Sequence, residues 1–365
     1  MSADDPQAAA LVRPGPEIAL QVAEQYGFVA PIEVRRLVSG HINESFEVRA
    51  GAGHMLLQWI NPHVFPHTRE VQDNVERVLD HLAASAPEAG YPHLLTSVAG
   101  ARRIERADGL WRALEWLDGS ETLTRPDGDA RAHRAGLAVG AFDGAVAGLA
   151  PAALHDVLAG FHDLGARLAT LDAVRARAAP AALAAASAEL ARVDAQRATR
   201  HAAMSAGERR VIHGDPKFTN LLFRADRAVL VDYDTVMPGL LAWDFGDFLR
   251  SAAARGDEDD PLQAAVRTDR LLAAAGGFLD GLRRTPAAPP AMSAAEAAAL
   301  ATAPAGMAFM LAVRFLADHL DGDRYFRIRR PGQNLDRART QLALAEAFDG
   351  ETERLAALVD AAVRP

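Results

Sequence analysis

The 365-residue chain contains no cysteine, which excludes disulfides, thiolate nucleophiles and thiolate zinc sites and fits a reducing compartment. Lysine is nearly as scarce. Lys217 is the sole example, against thirty-eight arginines. Basic charge is also outnumbered: the net charge of −9 argues against broad attraction to nucleic acid or to an anionic membrane surface. No uninterrupted apolar run reads as long enough to cross a bilayer. The opening MSADDPQAAALVRPGP is acidic where a secretory signal needs a basic segment before an apolar one. The expectation is a cytoplasmic protein with small-molecule partners, neither nucleic acid nor membrane.

What is present is a globular balance, with half the residues apolar and about a quarter charged. The length exceeds a single ordinary core, so two lobes are expected, over 1–118 and 119–365. After a short helix over 16–26, the stretches IEVRRLV, ESFEVRA and MLLQWI read as strands joined by tight turns, and ARRIERADG with LWRALEWL as a hairpin. Between them, Val71, Val75, Val78, Leu79 and Leu82 recur at helical spacing behind a Thr68 cap. From about Asp127 the chain turns to Ala/Leu/Arg helices, including AALAAASAELARVDAQRA as one helix. The strand-like material there is RRVI, LLF and AVLVDYD. The fold class is α+β, a small antiparallel-sheet lobe followed by a larger helical one.

The chemistry gathers around the lone lysine. In VIHGDPKFTNLLFRADRAVLVDYD, Asp215, Lys217 and Asn220 precede a strand, turn and strand that end at Asp232 and Asp234. A hairpin folds its ends together, so Asp232 returns near Asn220, and an amide oxygen with a carboxylate suits Mg²⁺. Phosphoryl transfer from ATP needs a carboxylate for the acceptor's proton, a metal, and fixed positive charge near the migrating phosphate. Asp215 is the candidate base, Asn220 and Asp232 the metal ligands, and Lys217 the compact cation. Asp234 stands beside them as a contact for substrate or a second metal. Read as local structure, Gly-Asp-Pro is also ordinary turn chemistry, and His162 and His213 read as hydrogen-bonded histidines rather than ligands.

His213-Gly214-Asp215, Asn220 and the post-hairpin Asp232 together resemble the signature of the aminoglycoside phosphotransferase and choline kinase superfamily. Lys217 also falls where the protein-kinase catalytic loop, which this stretch is similar to, carries a lysine. The literal Asp244-Phe245-Gly246 lies 24 residues beyond Asn220, too far for one hairpin, whereas Asp232 lies 12 beyond. Asp244 is therefore expected to brace the loop by hydrogen bonds. GHINESFEV, MLLQWINPHVF, REVQDNVERVLDHL, DYDTVMPG, WDFGD, VRFLADHLDGDRYFRI and NLDRARTQ, within 38–344, further resemble the N-acetylhexosamine 1-kinases. That resemblance implies a protein-kinase-like fold, ATP and Mg²⁺, transfer to the anomeric hydroxyl of GlcNAc or GalNAc, and Arg314 and Tyr325 as sugar contacts. Read from the residues alone, Arg314 is equally an ion-pair partner and Tyr325 a packing aromatic.

On the nucleotide side, Ser39-Gly40-His41-Ile42-Asn43 is the expected phosphate turn, with a single glycine. Gln58 stands where most of the superfamily has a lysine; its amide offers a hydrogen bond but no charge. Backbone groups of Glu115 and Leu117 are implied adenine contacts. Two alternatives stay open: a kinase for another hydroxyl substrate (aminoglycoside, choline or homoserine), and a catalytically silent nucleotide-binding module.

Overall fold

The computed structural model describes residues 13–37, 42–51, 53–284 and 292–363. Two compact units form, Met1–Leu79 with Pro92–Asp118, and Asp80–Tyr91 with Gly119–Pro365. The first is sheet-rich. Helix α1 (Pro16–Gln25) is followed by strands β1 (Glu33–Arg36), β2 (Glu44–Ala50) and β3 (Gly53–Ile60), then by helix α2 (Thr68–Ser85), and by β4 (Arg103–Arg106) and β5 (Gly109–Glu115). All neighbouring strands are antiparallel, in the order β1-β2-β3-β5-β4. Alternation explains the sheet: Met55, Leu57 and Trp59 on β3 are fully buried with Phe46, Val48 and Trp111, while Leu56 and Gln58 face the other way. Val22 and Ala23 of α1 complete this core. Thr68 is the first residue of α2 rather than its cap, because the Val71 N–H already bonds to His67 O at 3.2 Å.

The second unit is mainly helical, with β6 (Glu121–Thr122), α3 (Asp129–Ala145), α4 (Leu164–Arg175), α5 (Pro180–Ala185), α6 (Ser187–Met204), β7 (Arg209–Ile212), β8 (Leu221–Phe223), β9 (Ala228–Leu230), β10 (Met237–Leu240), α7 (Leu241–Ala253), α8 (Thr268–Arg283), α9 (Ala294–Leu320), α10 (Gln333–Asp349) and α11 (Thr352–Val363). The Ala-rich run is two helices, not one: Ala186 leaves helical geometry, and the Ser187 hydroxyl bonds back to Ala184 O at 3.0 Å. Strand β10, absent from the sequence reading, pairs antiparallel with β7, and β6 pairs with β8. Both are short strands whose burial comes from tertiary partners rather than from an alternating pattern of their own. Helices α3 and α8 pack backbone to backbone, since a Cβ at Gly140 would lie 1.9 Å from Phe278 O.

Helix α9 begins at a capping box, Ser293 accepting from Glu296 N at 3.2 Å while Glu296 accepts from Ser293 N at 3.1 Å. By length and composition it is apolar enough to cross a membrane, contrary to the expectation from uninterrupted runs, since its few polar residues are dispersed. Within this fold 83% of its most apolar stretch is buried.

Candidate active site

The stretch 213–220 leaves β7 through a sharp turn whose backbone is fastened from several directions. Gly214 has φ +82°, and a Cβ there would meet Thr235 O at 2.5 Å, so only glycine fits without displacement. The Thr235 hydroxyl donates to His213 O at 2.8 Å. Asp244 of α7, fully buried, accepts from His213 N at 2.6 Å and Gly214 N at 2.9 Å, the bracing expected for it. His162 donates from Nε2 to Gly214 O at 2.5 Å. His213 accepts the Asp215 N–H at Nδ1 (3.3 Å) and donates from Nε2 to Val231 O (3.2 Å). Burial keeps both histidines neutral, His213 lowered to about 3 and His162 to about 4. They are structural hydrogen-bonding groups.

This frame presents Asp215. Lys217 Nζ donates to Asp215 Oδ2 at 2.6 Å, and Asn220 Nδ2 donates to Asp215 O at 2.9 Å and Oδ2 at 3.3 Å. The Asp215 side chain keeps 24% of its surface exposed and that of Lys217 38%, so the pair is held but reachable. Burial raises the Asp215 carboxyl above the usual range, against the pull of Lys217. Burial opposes the charge on Lys217 too, but Asp215, Asp232 and Asp247 outweigh it and hold the ammonium above its ordinary value. Asp247 is itself stabilised by Arg250, whose Nη2 lies 2.7 Å from Oδ1.

The hairpin closes as its sequence demands. Leu221 pairs with Leu230, and the Val231 N–H donates to Asn220 O at 2.9 Å, so Asn220 and Asp232 flank the open end. Asp232 adopts φ 73°, a left-handed conformation uncommon outside glycine, and Asp234 follows it, 3% exposed. Because Asn220 spends its amide nitrogen on Asp215, its Oδ1 carries no protein donor among the described residues. An amide oxygen and a carboxylate at one hairpin mouth fit Mg²⁺, which takes few protein ligands and completes its shell with water and phosphate oxygens. Among the described residues no group of three or more His, Asp or Glu side chains forms a self-sufficient metal cluster.

Arg314 and Tyr325 come together in the same unit. The Arg314 guanidinium lies 5.0 Å from the Phe161 ring centroid, 5.4 Å from Phe326 and 5.9 Å from Tyr325, and among the described residues it makes no ion pair. The ion-pair reading of Arg314 therefore fails. The carboxylate one turn away, Asp318, accepts instead from the N–H groups of Arg324, Tyr325 and Phe326 at 2.7–2.9 Å and from Asn334 Nδ2 at 2.8 Å. Tyr325 meets the Phe326 ring edge-on at 4.8 Å, as a packing aromatic would, yet stays 68% exposed and leaves most of its surface open. Arg167, not singled out from the sequence, donates twice to Phe161 O (3.1 and 3.0 Å); burial first and Arg314 second lower it to about 10. Only its place on α4, next to the His162 segment, hinted at it.

In the sheet unit, His41 and the rest of 38–41 lie outside the described residues. Asn43 Oδ1 accepts from Asn61 N at 2.9 Å. Gln58 is engaged at both ends: Nε2 donates to Ser45 Oγ at 3.1 Å, and Oε1 accepts from Arg112 Nε and Nη2 at 3.0 and 2.8 Å. Arg112, its register partner on β5 and 2% exposed, was missed by the sequence reading because the pairing of β3 with β5 is not written in either strand alone. Glu115 donates its N–H to His93 O at 2.9 Å, and Leu117 is buried.

The model of the phosphotransferase enzyme family, APH, matches residues 33–275. The chain belongs to that family. Among solved structures it is similar to a microcompartment-associated aminopropanol kinase (16% identity, TM-score 0.65, 93% of this chain and 98% of that one). It is also similar to an amicoumacin kinase in complex with AMP-PNP, Ca²⁺ and Ami (14%, 0.60, 94% of each) and to choline kinase from Cryptosporidium parvum Iowa II (13%, 0.57, 95% and 97%). At these identities the structural likeness establishes the fold, a protein-kinase-like arrangement of a small antiparallel-sheet lobe and a helical lobe. The family establishes a small-molecule kinase, a phosphotransferase.

Proposed function

We propose that this kinase transfers the γ-phosphoryl group of ATP to the anomeric C1 hydroxyl of an N-acetylhexosamine, GlcNAc or GalNAc. The observation that carries the transfer is the loop geometry: a carboxylate with a raised pKa, held 2.6 Å from the ammonium of the chain's one lysine and anchored by Asn220. A base with an elevated pKa is better matched to taking a proton from a hydroxyl near neutral pH. Asp215 orients the acceptor and receives its proton, while Lys217, a compact charge on a flexible stem, moves toward the migrating phosphate. Asn220 Oδ1 and Asp232 would hold Mg²⁺, with Asp234 behind them. Bound there, the ion would neutralise charge on the phosphates. In the sheet unit, His41, Asn43 and the backbone of Glu115 and Leu117 are the assigned nucleotide contacts, whereas Gln58, its amide spent on Ser45 and Arg112, is left out of that set. AMP-PNP in the amicoumacin kinase complex supports ATP as donor.

For the acceptor, the supporting observation is the cluster of Arg314, Arg167 and Tyr325. Two guanidiniums meeting at Phe161, neither in an ion pair among the described residues and with Asp163 only a minor offsetting charge on Arg167, favour a neutral, hydroxyl-rich acceptor over an ammonium such as choline or an aminoalcohol, which like charge would repel. The exposed Tyr325 ring offers a sugar face an apolar platform. A kinase screen over free N-acetylhexosamines, an aminoglycoside, choline and homoserine, corrected for phosphate release, tests the assignment. Turnover confined to the hexosamines is expected. Preferential turnover of an amine would replace it, and ATP binding without any transfer would point to a silent nucleotide-binding module.

A further inference from the structure

Asp143 sits near the end of α3, 4% exposed, and neither of its carboxyl oxygens has a hydrogen-bond donor among the described residues. Its side chain meets that of Asp244. Two carboxylates buried side by side cannot both stay ionised, so one proton resides on the pair. The donors decide where it sits. Asp244 receives the N–H groups of His213 and Gly214, which favour its charged form, whereas Asp143 receives none. A proton on Asp143 gives that carboxyl a donor, gives Asp244 a third hydrogen bond, and avoids the cost of a second buried anion.

We propose that Asp143 is a positioning residue, a neutral carboxylic acid whose O–H donates to Asp244 and so keeps both Asp244 oxygens aimed as acceptors at the loop carrying Asp215. The role rests on the assignment of that loop as the catalytic one. Its surroundings agree. Asp247, one turn along α7, adds negative charge at Asp244, and the Tyr91 hydroxyl, buried and held well above its ordinary range, also faces Asp143. No arginine or lysine forms an ion pair with either member among the described residues, although Lys217 and Arg250 lie with Asp247. Burial and the neighbouring charge push Asp143 well above the carboxylate range, while Asp244, raised chiefly by burial, is pulled back to about 7 by its N–H donors.

The test begins with the unaltered protein. Infrared spectroscopy at neutral pH should show the carbonyl stretch of a buried carboxylic acid, shifted in D₂O and lost in Asp143→Asn. That variant keeps a donor toward Asp244, so its turnover and the amide-exchange protection of His213 and Gly214 should stay near the parent's. Asp143→Leu keeps the bulk but removes the donor. Its kcat should fall by about ten- to a hundred-fold, as expected for a displaced catalytic group, with a smaller change in the KM for ATP and faster exchange at both amides. Absence of the acid band from the parent overturns the proposal, as does an Asn variant as impaired as the Leu variant. The band and the exchange rates are read without turnover. An enzyme inactive on every acceptor would therefore overturn the assigned reaction while these readings still decide the role of Asp143.

Discussion

The loop at 213–220 and strand β3 treat their polar side chains in opposite ways. Asp215, Lys217 and Asn220 bond to one another while the first two remain partly exposed, so their charge is organised yet available. Gln58 has its amide spent at both ends on Ser45 and Arg112. The position where most of the superfamily carries a lysine has here become part of a cross-strand network. Under the proposed function, the charge directed at phosphate is assigned to one loop and falls on its lone lysine. The difference teaches that a polar side chain gains a chemical role from what its neighbours leave unused, not from its type.

That contrast can be broken at the loop first. Asp215→Asn should lower turnover by about a hundred- to ten-thousand-fold, the usual cost of a lost general base, while the melting temperature and nucleotide affinity stay near the parent's. Steady-state kinetics beside calorimetry would check this, and near-normal turnover would remove the base assignment. Lys217→Ala should slow transfer on the order of a hundred-fold, with sugar affinity less affected. It carries a pH signature as well. Lys217 pulls the Asp215 pKa down against burial, so its removal raises that pKa further, and the acidic limb of the kcat–pH profile, where the base becomes protonated, moves to higher pH. A limb that stays in place would mean that the ammonium and the base are not coupled.

Smaller effects sharpen the frame. Gly214→Ala introduces a Cβ against Thr235 O at a positive φ and should cost about 1–3 kcal/mol of stability, measured by denaturant titration. Gln58→Leu should leave turnover close to the parent's. It strips Arg112 of an acceptor and should cost about 1–3 kcal/mol of stability. If it lost as much turnover as Lys217→Ala, the contrast between loop and strand would be wrong.

How much was legible depended on whether a feature is written locally. The spacing from Asp215 through Asn220 to Asp232 encodes a hairpin that closes on itself, so those residues were found together from sequence alone. Asp244 was readable for the same reason, being too distant for the hairpin and so left to brace the loop. The five strands of the first sheet follow from alternation and turns. Arg112, Arg167, Asp318 and Asp143 were not legible. Each acquires its role from a partner on another element, across a register or between packed helices, and nothing in its own neighbourhood announces it. Arg314 was visible, but its environment was not: three aromatic rings stand where a carboxylate was an equal expectation.

The most direct test of the account is the fate in mild acid of the product formed from ATP and GlcNAc or GalNAc, followed by ³¹P NMR. An anomeric phosphate hydrolyses under those conditions, and loss of the phosphomonoester signal to inorganic phosphate is the predicted result. A product whose phosphate survives mild acid would place the transfer on an ordinary alcohol and contradict the assignment of the C1 hydroxyl as acceptor.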